Sequence, residues 1–146
     1  MTLLHLSGEA TFNTVRLLGV ALRAVCAFAT SEGTAAQIEL AVVEACNNVV
    51  EHAYRIQKGS IVLDLVLEEE KIVIVIHDTG ETMPTTSQKE FNLDFDPKNV
   101  ENLPEGGMGL FLMATIMDKW EYGTAKGRNT LTLTKYLRDD GGGKYA

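Results

Sequence analysis

Residues 101–118, ENLPEGGMGLFLMATIMD, are the stretch that is most informative about the fold. Gly106, Gly107 and Gly109 stand directly before an apolar run with helical spacing. Glycine allows positive φ and a close approach of the backbone to a ligand. A helix that begins at the last glycine points its free N–H groups and positive dipole end at whatever lies in front of it. This arrangement suits a phosphate chain, although a Gly-Gly turn before a helix is more often only a loop.

The composition predicts one soluble globular domain. A chain of 146 residues can bury one sizeable core and leaves no room for a second. Its fractions of 45% hydrophobic and 23% charged residues are ordinary for such a protein. The net charge of −7 disfavours nucleic acid or an anionic membrane as the main partner, because either would require a basic surface.

The chain shows no targeting or metal-binding pattern. No apolar run is long enough to span a membrane and no signal peptide is recognisable, so we expect a cytoplasmic protein. Cys26 and Cys46 fall in apolar helical stretches without a CxxC motif or a His/Cys cluster. We therefore expect them to be core thiols and not disulfide partners or metal ligands.

Periodicity predicts helices grouped against one face of a mainly antiparallel sheet, an α+β two-layer sandwich. Leu17 and Phe28 widen the apolar stripe of the first helix, which we therefore expect to be largely buried. Thr34 and Gln37 have the spacing of a capping box at the start of the second helix. The domain is expected over 1–138, with a flexible tail over 139–146. The predicted elements are a strand 3–6, helices 11–30 and 34–54, strands 61–67 and 72–76, an irregular connection 81–105, a helix 108–119, and strands 120–124 and 129–137.

A second motif lies on the predicted helix 34–54. Glu44, Asn48 and His52 stand four residues apart, so they share one side of the helix. Such a polar row can simply be a solvated face. Alternatively, the asparagine oxygen is a suitable ligand for Mg²⁺, and the glutamate one turn earlier can accept a proton from an attacking hydroxyl.

A third motif, Asp78-Thr79-Gly80, follows the most apolar predicted strand. An aspartate at the end of a strand is usually a turn former that accepts hydrogen bonds from backbone N–H groups. Alternatively, it accepts a hydrogen bond from an exocyclic amine such as that of adenine, and Gly80 leaves room for the ring.

Taken together, the order and spacing of the three motifs resemble the GHKL ATP-binding fold shared by histidine kinases, type II topoisomerases, Hsp90 and MutL. The likeness spans roughly residues 34–135. The phrases EACNNVVEHAY and EGGMGLFLM are similar to those of the anti-sigma-factor serine kinases of bacterial partner-switching systems. The N-terminal strand and long helix extend this likeness to nearly the whole chain.

The resemblance implies a role for each matching residue. Glu44 would be the general base and Asn48 the Mg²⁺ ligand. His52 matches the family wording and would be either part of the site or structural. Arg16 on the first helix is a candidate contact for either partner protein, although a surface arginine is more often only solvated. The residues implied in ATP binding are Asn48, Asp78, Gly80, Gly106, Gly107, Met108, Gly109, Leu110 and Thr130. The segment that follows Gly80, Glu81-Thr82-Met83-Pro84, lacks the second glycine of many members, which predicts a stiffer start to the ATP lid at about 81–108.

The implied function is that of a Mg²⁺- and ATP-dependent serine/threonine protein kinase. It would phosphorylate a STAS-type anti-anti-sigma protein, sequester a sigma factor or another regulator, and form a homodimer through its N-terminal strand.

Other classes of protein fit less well or stay open. A non-catalytic binding module that sequesters a partner would need the same nucleotide-binding residues. A histidine-kinase catalytic domain cut from a longer chain is disfavoured, because His5, His52 and His77 lie in no heptad helix. A topoisomerase- or MutL-like ATPase would need further domains, for which an acidic chain of 146 residues is too short.

Overall fold

The structure is a computed structural model that describes residues 1–55, 57–83 and 108–138. Each predicted helix and strand is present, with ends shifted by a few residues. The predicted tail and most of the 81–105 connection lie outside the described residues. Within the described ranges, no helix is long and apolar enough to cross a membrane. The elements in chain order are β1 (Thr2–Glu9), α1 (Phe12–Cys26), α2 (Glu32–Asn48), a π-helical segment (Val49–Tyr54), β2 (Ser60–Leu67), β3 (Lys71–Asp78), α3 (Met108–Ile116), β4 (Lys119–Ala125) and β5 (Arg128–Tyr136).

The five strands form one sheet in the order β1-β2-β3-β5-β4, and each pairing between them is antiparallel. The run 72–76 is β-branched and apolar on both faces, which predicts a central strand covered on both sides. β3 does lie in the middle of the sheet, but the described helices cover only one of its faces. Its Ile74 and Ile76 are buried beneath the helices, whereas Val73 and Val75 on the other face are half-buried. Because the helices of the described residues pack on one face, the structure confirms the predicted two-layer α+β sandwich.

The core lies between the helices and the inner face of the sheet. Cys26 and Cys46 are part of it as free thiols, as predicted, and burial raises the pKa of each to about 12. The largest side chains that are less than 2% exposed are Leu22, Ile38, Ile61, Leu63, Leu65, Ile72, Ile74, Ile76, Met113, Leu133, Val15 and Val42.

Helix α1 is shorter and more exposed than its sequence predicts. It ends at Cys26, and Leu17 and Phe28 are 71% and 74% exposed. The expectation that both residues widen the buried stripe was wrong. Leu17 lies about 100° around the helix from the buried Leu18, and α1 has the core on one side only. Phe28 follows the end of the helix and so no longer shares its periodicity.

Helix α2 begins earlier than predicted, at Glu32. Its N-cap is Ser31, whose Oγ accepts a hydrogen bond from the backbone N–H of Thr34 at 3.2 Å. The predicted capping box at Thr34 and Gln37 was therefore wrong, because Thr34 already lies inside the first turn. Gly33 does not break the helix, since the N–H groups of a first turn need no intrahelical acceptor.

A two-residue turn joins β4 to β5. Lys126 and Gly127 have φ values of 53° and 75°, the left-handed pair typical of a type I′ hairpin turn. This turn places Thr124 opposite Asn129, and β5 in turn places Asn129 opposite Asp78 of β3. The hairpin therefore sets the register of β4 on β5, and the separate pairing of β5 with β3 sets which residues of β5 face the end of β3.

A polar chain crosses the sheet face that the helices leave open. The carboxylate of Asp64 accepts hydrogen bonds from the rings of His5 and His77, the latter at 3.0 Å. The other ring nitrogen of His77 lies 3.3 Å from the hydroxyl of Thr130. Partial burial raises the pKa of Asp64, but the hydrogen bonds and charges of the two histidines outweigh it, and this pKa lies below its ordinary 3.8.

Replacing Asp64 by Asn should lower the free energy of unfolding by about 1 kcal/mol at neutral pH, because both histidines lose a charged acceptor. The folded pKa of Asp64 is depressed, so its contribution is complete above 3.8 and is lost as the pH falls through the folded pKa. Urea unfolding should be measured at neutral pH and at pH values below 3.8. The difference in free energy of unfolding between wild type and Asp64→Asn should become smaller in acid. Glu121→Gln, at an exposed position, serves as control, and a difference independent of pH would contradict the assignment.

Candidate active site

The π-helical segment that continues α2 docks directly onto the turn that follows β3. The backbone N–H of Glu81 donates a hydrogen bond to the carbonyl of Ala53 at 2.7 Å. A Cβ added to Gly80 would lie only 2.5 Å from that same carbonyl oxygen. The contact between the π-helical segment and this turn therefore requires glycine at position 80.

Tyr54, the last residue of the π-helical segment, ties the same turn to the start of β2. Its side chain is buried, and its hydroxyl donates to the carbonyl of Ser60 at 2.7 Å and accepts from the backbone N–H of Thr79 at 2.8 Å. Gly59 packs against the ring, where a Cβ would come within 2.1 Å. Sequence reasoning missed Tyr54, although an aromatic residue with a polar tip at the end of a buried helix was a usable signal.

Asp78 is 7% exposed and its carboxylate is held by two donors. Its Oδ1 accepts from the backbone N–H of Gly80 at 3.0 Å and from Nδ2 of Asn129 at 2.8 Å. The Asx turn predicted at this aspartate is thus present, and a second strand contributes to it. Asp78 and Gly80, which the sequence predicts as neighbours in the site, are brought together.

Thr130, by contrast, is not brought to Asp78. Successive side chains of a strand point to opposite faces, and the hydroxyl of Thr130 lies beside His77 on the open face of the sheet. The preceding residue, Asn129, is the one that faces Asp78. Sequence reasoning missed Asn129, yet it shares the phase of Leu131 and Leu133, so a polar residue there was a signal.

Glu44 on α2 lies against the first turn of α3. A Cβ added to Gly109 would be 2.7 Å from Oε2 of Glu44 and 3.3 Å from its Cβ. The structure therefore brings together two of the predicted site residues that come from different elements. Met108 is the first residue of α3 and Leu110 lies half-buried in its first turn, whereas Gly106 and Gly107 lie outside the described residues.

Asn48 is the last α-helical residue of α2, one turn beyond Glu44, and it is half-buried. Cys46 lies between them in the sequence and connects this helix electrostatically to Asp78. Burial is the main cause that raises the pKa of Cys46, and the nearby charge of Asp78 raises it further.

The donor set suits a hard cation that needs few protein ligands. Among the described residues, no group of three or more His, Cys, Asp or Glu side chains could hold a metal ion. Mg²⁺ is commonly held by one or two protein oxygens together with substrate phosphates. The amide oxygen of Asn48 and the carboxylate of Glu44 are of the right type, so these residues fit magnesium better than zinc.

Two other predicted residues lie on the surface. Arg16 is exposed on α1, on a helix that also exposes Leu17 and Val20. His52 is exposed, and its ring lies 3.5 Å from the carboxylate of Glu51.

A family model described as the histidine kinase-like ATPase domain matches residues 8–135. The chain belongs to this family. Membership in this ATPase family makes ATP the expected ligand, and the matched residues include every described residue of the site. The motif order that predicts the family is therefore confirmed.

Two named relatives are similar to this chain. The serine-protein kinase RsbW of Halalkalibacterium halodurans is 39% identical over 104 residues, which cover 70% of this chain and 63% of that protein. The serine-protein kinase RsbW of Bacillus cereus is 35% identical over 102 residues, which cover 69% of this chain and 63% of that protein. The match thus spans slightly less than two thirds of each relative.

A solved structure has the same fold as this histidine kinase-like ATPase domain. The crystal structure of the RsbU and RsbW domains of Rv1364c from Mycobacterium tuberculosis matches with a TM-score of 0.63 at 22% identity. The match covers 94% of this chain and 33% of that one.

Two glycines of the ATPase domain should respond differently to alanine. At Gly80 the new Cβ meets a backbone carbonyl, so Gly80→Ala should lower the free energy of unfolding by about 2 kcal/mol. At Gly109 it meets the flexible end of Glu44 within a helix, where alanine is favoured over glycine by up to about 1 kcal/mol. Gly109→Ala should therefore leave stability nearly unchanged. Urea unfolding of both variants tests this, and equal losses at the two sites would contradict it.

Proposed function

We propose that this protein is a Mg²⁺- and ATP-dependent serine/threonine protein kinase that acts as an anti-sigma factor in a partner switch. The observation that carries the proposal is the carboxylate of Glu44 at the first turn of α3, one helical turn from Asn48. This pairing sets a proton acceptor beside a helix N-terminus suited to phosphate. The names of the RsbW relatives support the same reaction.

The nucleotide would lie between α2, α3 and the turn after β3. Asp78 would accept a hydrogen bond from the adenine amino group, with Gly80 beside the ring. Asn48 would ligate Mg²⁺. The first N–H groups of α3, at Met108, Gly109 and Leu110, have no intrahelical acceptor and would face the phosphates. Gly106 and Gly107 are proposed to extend this set of donors.

The reaction is in-line phosphoryl transfer from ATP to a protein hydroxyl. Glu44 orients the serine or threonine hydroxyl and takes its proton. The hydroxyl oxygen bonds to the γ-phosphorus while the bond to the bridging oxygen breaks, and ADP leaves. Magnesium, when bound, supplies charge neutralisation at the phosphate oxygens. Because the chain carries a net charge of −7, this metal and the helix N-terminus have to provide the local positive potential.

The partners are proposed from the same family. The phosphoacceptor is a STAS-type anti-anti-sigma protein, and the sequestered target is a sigma factor or another regulator, in the cytoplasm. Arg16 is proposed to contact a partner, and the exposed Leu17 and Val20 of the same helix give that surface apolar area to bury. A homodimer through β1 completes the proposal.

Asn48→Ala should weaken binding of Mg²⁺–ATP by about 30-fold, the equivalent of a charge-assisted contact of about 2 kcal/mol. Asn47→Ala is a matched control, because Asn47 is the adjacent asparagine on the same helix and is not assigned to the site. Isothermal titration calorimetry with Mg²⁺–ATP measures both affinities. An unchanged affinity in Asn48→Ala, or an equal loss in Asn47→Ala, would remove Asn48 from the metal site.

Glu44→Gln should retain ATP binding and slow phosphoryl transfer by a factor of about 10²–10⁴, since general-base catalysis commonly contributes that much. The measurement is transfer of labelled γ-phosphate to a STAS protein from the same host, with binding measured in parallel. Transfer at the wild-type rate would show that Glu44 is not the base. A wild type that captures a partner and transfers no phosphate would instead indicate a non-catalytic binding module.

A further inference from the structure

Asn129 is the polar exception on the buried side of β5. It is 1% exposed and shares its phase with Leu131 and Leu133, which lie in the core. Burying an amide costs free energy unless its polar atoms find partners. Each polar atom of Asn129 has one, so this position holds a complete hydrogen-bond network and not a chance polar residue.

The contacts of Asn129 leave its amide one orientation. Its Nδ2 donates to Oδ1 of Asp78 at 2.8 Å and to the carbonyl of Gly80 at 3.0 Å, and it lies 3.4 Å from the carbonyl of Glu81. Its Oδ1 accepts from the hydroxyl of Thr82 at 3.0 Å. A flipped amide would set its oxygen against three acceptors, so the Nδ2 group stays directed at Asp78.

Asp78 is thereby held with unequal oxygens. Oδ1 accepts from both Asn129 and the backbone N–H of Gly80. Oδ2 has no donor among the described residues. Among the described residues, no side-chain nitrogen or oxygen is both fully buried and without a hydrogen-bond partner. Because Oδ2 has no donor, it must therefore be accessible to solvent. Oδ1 is therefore occupied by hydrogen bonds within the protein, and Oδ2 is available to a ligand.

We propose that Asn129 is a positioning residue that makes this site selective for adenine. Hypoxanthine and guanine carry a carbonyl at the ring position where adenine carries its amino group. The inference rests on the proposed nucleotide site. By occupying Oδ1, Asn129 prevents rotation of the carboxylate and presents Oδ2 as a fixed acceptor. An adenine amino group donates to that oxygen, whereas the carbonyl of a hypoxanthine or guanine ring sets one acceptor against another.

The test compares binding of ATP and of inosine triphosphate, which differs from ATP in carrying a carbonyl in place of the amino group. Asn129→Leu keeps the approximate size of the side chain and removes the donor, whereas an aspartate there would share a proton with Asp78. Asn129→Leu should weaken ATP binding by about tenfold more than inosine triphosphate binding, the loss expected for a hydrogen bond to a charged group. A merely structural role would weaken both nucleotides equally and leave their ratio unchanged.

Thr82→Val provides a second variant at an exposed position, where folding is not at risk. It removes the donor that orients the amide of Asn129. The ratio of ATP affinity to inosine triphosphate affinity should therefore also fall, but by a smaller factor. Thr132→Val, on the opposite face of β5 and not assigned to the site, is the matched control and should keep the wild-type ratio. Melting temperatures of the nucleotide-free variants report on folding.

The outcomes separate this inference from the proposed function. A wild-type ratio retained in both Asn129→Leu and Thr82→Val would overturn the role of Asn129 while leaving the nucleotide site intact. If Asn129→Leu does not fold, a wild-type ratio in Thr82→Val is sufficient to overturn it. A wild type that binds neither nucleotide would overturn the proposed function itself, and with it the basis of this inference.

Discussion

The carbonyl of Ala53 and the missing side chain of Gly80 define how the helical layer meets the sheet at its functional end. The backbone of the turn lies within hydrogen-bond distance of the π-helical segment, which joins the end of this segment directly to the end of β3. Tyr54 adds a second connection from the same segment to the same turn. The chain leaves this contact through Arg55, whose φ of 54° turns it sharply toward β2. The position of Asp78 relative to Asn48 and Glu44 depends on this junction.

The far side of the turn is held by the C-terminal hairpin. Asn129 reaches Asp78 across 51 residues of sequence, and Tyr122 of β4 accepts a hydrogen bond from the backbone N–H of Met83 at 2.8 Å. The segment from Thr79 to Met83 is therefore bonded to the helical layer on one side and to β4 and β5 on the other. The sequence predicts a stiff start to the lid from the absence of a second glycine, and these contacts supply a physical reason for stiffness there.

Local features of the chain were predictable where the pattern was regular. The alternation in β2 and β5 and the apolar run of β3 predict strands close to the observed ones, because covalent spacing alone sets which side chains share a face. Helix ends were less predictable. Ser31 and Thr34 are both good caps, and the choice between them depends on whether the first turn can continue through Gly33. The burial of Leu17 and Phe28 was mispredicted for a related reason, since apolar character does not reveal whether a second layer covers that side of α1.

By itself, the sequence determined the family, the order of the elements and the shared helix face of Glu44 and Asn48, because each of these follows from spacing along a single segment. Only the tertiary structure decided that Asn129 and not Thr130 faces Asp78, and that Tyr54 holds the turn beside it. These outcomes depend on the register between strands and on the docking of α2. Register is set by packing between residues far apart in the chain, and a shift of one residue exchanges the two faces of a strand. Local periodicity assigns Asn129 to the same face of β5 as Leu131 and Leu133, but it contains no information on which residue of β3 lies opposite it.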